Sequence, residues 1–293
     1  MIVADPALAA RLEALVVSEM ERFTRRAVEV FPESRARCLP IGEGIACFGA
    51  EEIPFNEATG LGVTRPVTGA ELDTLEAFYH DFQATAEVLV CSLGDAGLAP
   101  ALARRGWVPN GFEDVFVMDL SEPAAREIAP DPVVDIRIAG AGERSHWGRC
   151  VAVGFSDTGE PTPSEYRFGE IVATREGATL LWAWVDGVPV ATAELQLEGD
   201  VAWLSADTTL PDYRGRGLQR ALQAARIELA REAGCALAVS EANPGGSSHR
   251  NMQRTGFRLA YTHLGMERAF ADAPEQAPAE QAPEESAVEA GVS

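Results

Sequence analysis

The sequence predicts an α/β (α+β) protein made of two tandem modules, and three observations carry that reading. A strand-like run, Val201 to Thr209, enters a glycine-rich turn and a long amphipathic helix, about Leu218 to Ala233, leaves it. Strand-period and helix-period segments alternate on both sides of this turn. Finally, the run Ala101-Leu102-Ala103-Arg104-Arg105-Gly106-Trp107, which leads into a strand ending near Met118, has a counterpart in Asn251-Met252-Gln253-Arg254-Thr255-Gly256-Phe257, which leads into a strand ending near Met266. The two glycines lie 150 residues apart, so the pattern is an internal repeat.

The elements follow in chain order. Asp5-Pro6 is an N-cap followed by a first helical residue, and starts a helix that runs toward Phe31. Gly69 to Gln83 is a helix, Glu87 to Ser92 a strand and Leu98 to Arg105 a short helix. Pro123 to Pro132 is a Pro-rich linker. Cys150 to Phe155 and Tyr166 to Val172 are helical, and Thr179 to Val185 and Val188 to Leu197 flank Asp186-Gly187, a hairpin signal. Beyond the turn, Leu218, Ala221, Leu222, Ala225 and Leu229 make an apolar helical stripe. Cys235 to Val239 is a short strand, Asn243-Pro244-Gly245-Gly246 a loop and Ser247 to Thr255 a helix; Gly256-Phe257 then opens the last strand.

The turn Leu210-Pro211-Asp212-Tyr213-Arg214-Gly215-Arg216-Gly217-Leu218-Gln219-Arg220 is an anion cradle. Its glycines allow close backbone approach, and the first helical N–H groups lack intrahelical partners. Arg214, Arg216 and Arg220 add positive charge. It is neither the G-x-G-x-x-G dinucleotide fingerprint nor a Walker A loop. Arg-Gly-Arg-Gly-Leu-Gln preceded by Thr-x-Pro-x-Tyr resembles motif A of the GNAT superfamily of N-acetyltransferases, with Thr209 where Val is usual and Gln219 where the last Gly or Ala is usual. The resemblance extends over about Val133 to Phe270. It implies a mixed, mostly antiparallel sheet flanked by helices in each module, and acetyl-CoA as co-substrate. Its expected contacts are Asp207, Thr208, Thr209, Arg214, Gly215, Arg216, Gly217, Leu218, Gln219, Arg220 and Asn251. The domains are then 1–122, a degenerate module; 123–132, a linker; 133–270, the acetyl-CoA-binding module; and 271–293, an acidic tail.

The first module lacks the cradle. The stretch Val63-Thr64-Arg65-Pro66-Val67-Thr68-Gly69, with one glycine and a proline, does not offer the same donors. This half is expected to pack on the second and wall the substrate pocket.

Composition bounds the function. The chain has 293 residues and a formal net charge of −21. The tail from Asp272 to Ser293 carries six acids and no bases and lacks aromatic residues, so it is expected to be disordered. The negative charge argues against nucleic acid and mildly favours a cationic substrate. Cys38, Cys47, Cys91, Cys150 and Cys235 show no C-x-x-C pair and read as reduced thiols in a cytoplasmic protein. The four histidines have no metal-ligand spacing, so no metal is expected. Neither a signal peptide nor a membrane span is evident.

Acetyl transfer to an amine requires a held thioester, a polarised carbonyl, a base for the ammonium and a proton for the leaving thiolate. The resemblance places carbonyl polarisation near Asp207-Thr208-Thr209. The Tyr that many GNAT enzymes place four residues before the final Gly is here Met252. Ser248, one helical turn earlier, is a candidate acid or thiol hydrogen-bond donor, with helix N-capping as its alternative. Tyr261 is a candidate for the pocket or for the core. The strand Glu usual six residues before Thr209 is Trp203. Ser205 and Asp207 share the face of Trp203 if no bulge intervenes. Asp207, Glu241 and Glu194 are candidate bases, each with a structural alternative. Two functional readings result: an acetyl-CoA-dependent N-acetyltransferase acting on a primary amine of a small molecule or peptide, or a non-catalytic CoA-binding regulatory or partner protein.

Overall fold

The computed structural model describes residues 3–49, 53, 55–122, 134–156 and 159–270. The expected linker at 123–132 and tail at 271–293 lie outside the described residues. The first half contains helix α1 (Pro6–Val30), strands β1 (Arg37–Ile41), β2 (Gly44–Phe48) and β3 (Glu57–Thr59), helix α2 (Gly69–Phe82), strand β4 (Thr85–Cys91), helix α3 (Leu98–Arg104) and strand β5 (Val108–Asp119). The second contains β6 (Asp135–Ile138), α4 (Arg144–Phe155), α5 (Pro163–Thr174), β7 (Thr179–Val185), β8 (Val188–Glu198), β9 (Val201–Thr209), α6 (Leu218–Glu232), β10 (Leu237–Ala242), α7 (Ser247–Thr255) and β11 (Arg258–Ala269).

Local chemistry sets these boundaries. Asp5 caps α1 by accepting a hydrogen bond from the Leu8 N–H at 2.8 Å. The helices α3 and α7 end in the same way. Gly106 and Gly256 adopt φ of 85° and 103°, and the N–H groups of Trp107 and Phe257 return to the carbonyls of Leu102 and Met252. The repeat read in the sequence is therefore a repeated helix stop. Strand β10 begins later than the sequence suggests because Gly234 ends α6 in a left-handed conformation and the Cys235 N–H bonds to the Ala230 carbonyl, so Cys235 belongs to the helix cap. Strands β1, β2, β3 and β6 were not foreseen. They are three to five residues long, too short for alternation to stand out.

The eleven strands of the described residues form one sheet, in the order β1-β2-β3-β4-β11-β5-β10-β9-β8-β7-β6. The two modules are joined by exchange of their last strands. Strand β5 of the first half lies against β10, and β11 of the second half lies against β4, with β5 and β11 antiparallel at the centre. Outward from that centre, β4 and β10 each have one parallel neighbour, β3 and β9, while every other pair is antiparallel. The sheet is thus mixed and mostly antiparallel, as the resemblance implied for each module, with the two modules sharing one continuous sheet.

Helices cover both faces. On one face α6 seats Leu218, Leu222 and Ile227 on Ala193, Leu195 and Leu204, and α2 seats Leu72, Leu75 and Phe78 on Val88 and Trp107. On the other face α1 crosses the centre, packing Leu12 near Val115, Val239 and Tyr261. Beside it α4 and α5 bury Trp147 and Ile171 against Leu180 and Trp182, and Phe23 of α1 joins that cluster. Among the described residues, no helix is long and apolar enough to cross a membrane.

Helices α4 and α5 approach backbone to backbone. A Cβ placed on Gly169 would lie 2.2 Å from the Gly148 carbonyl oxygen, and one on Gly148 would lie 2.6 Å from that of Gly169. Neither oxygen can move without displacing its helix, so Gly169→Ala is expected to destabilise the fold by about 1–3 kcal/mol in denaturant titrations. An unchanged midpoint would mean that the two helices can separate at little cost.

Candidate active site

The sheet opens where β9 and β10 meet. Their parallel ladder runs only through Leu237↔Val201, Ala238↔Ala202 and Val239↔Trp203, and the strands part beyond it. A bulge accompanies the parting: the β8–β9 register slips between Thr192 and Glu194, and Ala206 takes a φ of 51°. The bulge corrects the alternation expected from sequence. Ser205 donates to Glu194 at 2.8 Å on the α5 side, whereas the Asp207 carboxylate turns to Arg226 of α6.

Arg226 is fully buried and holds this region together. It donates to the carbonyls of Leu222 at 3.2 Å, Glu194 at 3.0 Å and Ser205 at 3.3 Å, as well as to Asp207. Burial raises the Asp207 carboxyl and the charge of Arg226 opposes that rise. Glu194 is fully buried and shared among Arg175, Ser205 and Gln196, a structural arrangement.

The glycine-rich turn lies at the mouth of the opening. Gly215 and Gly217 have φ of 77° and 78°, and a Cβ on either would meet no atom within 4 Å, so the space before the turn is clear. Helix α6 starts without a side-chain cap. Its first N–H groups therefore point outward with no side chain to satisfy them. Arg214 donates to the carbonyls of Thr209 at 3.2 Å and Gly154 at 3.0 Å, fastening the turn to β9 and α4. Arg216 stacks over Tyr213 at 4.8 Å, and Arg220 is exposed. Leu218 is a core residue, and Thr208 is buried, its hydroxyl 2.7 Å from that of Thr192.

The corresponding helix of the first half closes its own N-terminus. In α2, Thr68 and Glu71 form a capping box, the Glu71 carboxylate accepting from the Thr68 N–H at 2.8 Å, and Arg65 pairs with Glu71. The bond to Arg65 holds the Glu71 carboxyl down at about 2. A carboxylate of the chain itself thus sits where α6 leaves room for an anion.

Gln219, the departure from the expected turn, points away from the cradle. Its Nε2 donates to Ser248 Oγ at 2.9 Å, and its Oε1 accepts from Asn251 at 2.6 Å. Because its oxygen is engaged as acceptor, the Ser248 hydroxyl is left free to donate elsewhere. Ser248 does not cap α7.

Beyond the parted strands lies a cavity of about 550 Å³. The second half contributes Trp203, Ser205, Asp207, Gln219, Glu241 and Ser248. The first half contributes Val16, Glu19, Met20, Phe23, Phe55 and Leu89, and also Glu57 and Glu113. Residues of both halves therefore line this cavity. Glu113, Glu241 and His263 bring one ligand-type atom each within 4.8 Å of one another. His263 is fully buried; its Nε2 meets Glu13 Oε1 at 2.7 Å, and the same oxygen accepts from Tyr261 at 2.6 Å. Tyr261 is accordingly a core residue. His263 Nδ1, Glu13 Oε2 and Glu241 Oε1 are buried without a hydrogen-bond partner among the described residues.

These acids repel one another in a confined, half-buried place. Burial raises the Glu241 carboxyl well above its ordinary value, and the charges of Glu113, Glu57 and Glu13 raise it further. Burial, then Glu113 and Glu87, push Glu57 up to about 8. Burial would lower His263, but its bond to Glu13 and the charges of Glu13, Glu113 and Glu57 outweigh that and raise it. Sequence reasoning found Glu241 but missed Glu13, Glu57, Glu113, His263 and Arg226. Two had a readable signal: Glu13 lies beside Leu12 in the apolar stripe of α1, and Arg226 stands four residues after Leu222 in that of α6.

Comparisons with known proteins agree with this geometry. Residues 147–257 match the profile of the family described as Acetyltransferase (GNAT) family. A GCN5-related N-acetyltransferase from Kribbella flavida superposes with a TM-score of 0.60 at 19% identity, over 85% of this chain and 95% of that one. Another from Sphaerobacter thermophilus gives 0.59 at 16% identity, over 78% and 77%. A tandem GNAT protein from the clavulanic acid biosynthesis pathway gives 0.57 at 14% identity, over 78% and 79%. At these identities the likeness is one of fold. The curated proteins include no match to the chain.

The acid cluster makes stability depend on pH. Between the ordinary 4.5 of the unfolded chain and about 8, folded Glu57 keeps a proton that the unfolded chain has released. Stability therefore falls as pH rises through that window, and raised His263 acts in the same direction. Glu57→Gln is expected to flatten the loss by up to about 1.4 kcal/mol per pH unit in denaturation series from pH 5 to 8. An identical slope in the variant would show that Glu57 is not held protonated by the fold.

Proposed function

Because residues 147–257 match the profile of the GNAT acetyltransferase family, we propose that the chain moves an acetyl group from acetyl-CoA directly to a primary amine of a small molecule or peptide. The observation that carries this reading is the alignment of three features: an uncapped helix N-terminus behind clear space, parted strands beside it, and a carboxylate-lined cavity beyond. In this reading residues 133–270 hold the co-substrate and residues 1–122 wall the acceptor.

The residues divide the work by position. The N–H groups at the start of α6, with Gly215, Gly217 and the nearby arginines, suit the pyrophosphate, because the helix dipole and the missing side chains favour a close anion. Leu218 anchors the helix in the core. Gln219 and Asn251 fix Ser248. The pantetheine arm fits between β9 and β10, where backbone groups past Trp203 lack ladder partners. Acetyl-CoA supplies an activated thioester: the amine nitrogen bonds to its carbonyl carbon as the carbon–sulfur bond breaks. The ammonium gives up two protons in all. Glu241 takes one and passes it to solvent, and the other ends on the departing sulfur, toward which Ser248 donates a hydrogen bond. Asp207, engaged by Arg226, holds the bulge. A carboxylate with an unpartnered oxygen at the inner end of the opening supports chemistry over the non-catalytic alternative.

Two experiments test this. Gly217→Glu puts a side chain and a negative charge in the cradle, and calorimetry is expected to show acetyl-CoA binding lost. The left-handed φ adds a cost of only about 1–2 kcal/mol, so the fold survives. Binding equal to wild type would overturn the cradle. Glu241→Gln is expected to lower kcat by about 10²–10⁴. As a base with a raised carboxyl, Glu241 must ionise before it acts, so wild-type kcat rises with pH above the ordinary carboxylate range and the variant loses that limb. A variant with the same limb would remove Glu241 from the mechanism.

A further inference from the structure

The polar groups of the cavity are not equally available. Glu19 is held by Arg22 and Arg175, Asp207 by Arg226, and Ser205 by Glu194. Ser240 donates to the Leu204 carbonyl at 2.8 Å, and Gln219 is spent on Ser248 and Asn251. Away from the mouth, the carboxylates of Glu57, Glu113 and Glu241 remain without a hydrogen bond among the described residues. The other inner surfaces are apolar: Val16, Met20 and Phe23 of α1, Phe55, and Phe168 with Val172 of α5. Phe23 lies 4.8 Å from Phe55 and 5.7 Å from Phe168, centroid to centroid, so the three rings form one wall.

This distribution selects a ligand. A sugar amine needs partners for several hydroxyls, and the wall has none to give. A polyamine needs acids along its length, and here the free acids are gathered at one end. The cluster favours a cation, since Glu113 and Glu241 bring carboxylate atoms within 4.8 Å of each other and of His263, and the charge of Glu57 also acts on Glu241. Resting on the acetyl-transfer reading above, we propose that the acceptor is a small primary amine with an apolar, aromatic-sized body. Its nitrogen sits between Glu113 and Glu241, and its body lies on the wall of Met20, Phe23, Phe55 and Phe168. Glu113 binds the ammonium and hands it to Glu241 facing the thioester. His263, held by Glu13, positions the pair from behind.

The test is calorimetric titration of the full chain with 2-phenylethylamine, with and without CoA, beside spermidine, glucosamine and 3-phenylpropionate. The expected result is one site for 2-phenylethylamine, weakened at least about tenfold in Glu113→Gln, with the other three probes binding at least about tenfold more weakly. Glu113→Gln removes a repelled charge and so keeps the fold, which a melting curve checks. A tighter fit for spermidine or glucosamine, or an unchanged affinity in Glu113→Gln, would overturn the proposal. So would one divalent metal ion per chain, copurifying and lost in His263→Ala, because the cluster would then be a metal site. The amine titration needs no turnover. If acetyl-CoA fails to bind while 2-phenylethylamine binds, the acetyl-transfer reading falls and the amine site stands.

Discussion

Arg226 is the interaction on which the site depends. A guanidinium with no exposure to water must be satisfied by fixed partners, and its partners are backbone carbonyls of β8, β9 and α6 together with Asp207. Those bonds tie the bulge at Ala206 to the middle of α6. The same helix begins at Gly217, where the cradle lies, and so the parting of the strands and the orientation of the cradle are set by one rigid element. A buried charge of this kind is a poor source of stability, but it specifies one geometry: any other register of β9 would strand the guanidinium.

The cavity shows the opposite economy. Glu57, Glu113 and Glu241 raise one another's carboxyls in the confined cavity, and the protein tolerates this repulsion there. Sites that break the rules obeyed by the rest of a fold are usually sites of function. The aromatic wall and the acids come from both halves. The first half, whose helix terminus is closed by Glu71, contributes to the cavity through α1, β3 and β5.

What was legible in the sequence was local. The turn Arg214-Gly215-Arg216-Gly217 is contiguous, the paired Gly106 and Gly256 caps repeat a local hydrogen-bond pattern, and the amphipathic helices announce themselves by period. The acid cluster is assembled across almost the whole chain: Glu13 and His263 are 250 residues apart. The exchange of β5 and β11 also left no trace, because a strand's alternation does not say which neighbour it will take. The bulge at Ala206 reversed the expected side of Asp207, since one extra residue shifts the parity of everything after it.

The order of strands reads almost the same from either side of the β5–β11 seam, down to the single parallel pair in each arm. That is the symmetry of a homodimer written into one polypeptide. A one-module ancestor could build the same sheet from two identical chains, each lending its final strand to the other. Two copies bound to be identical must both keep a cradle and must both offer the same wall. Fusion lifts that constraint. After it, one copy is free to fill its helix terminus with its own carboxylate, and the asymmetry between the halves becomes heritable.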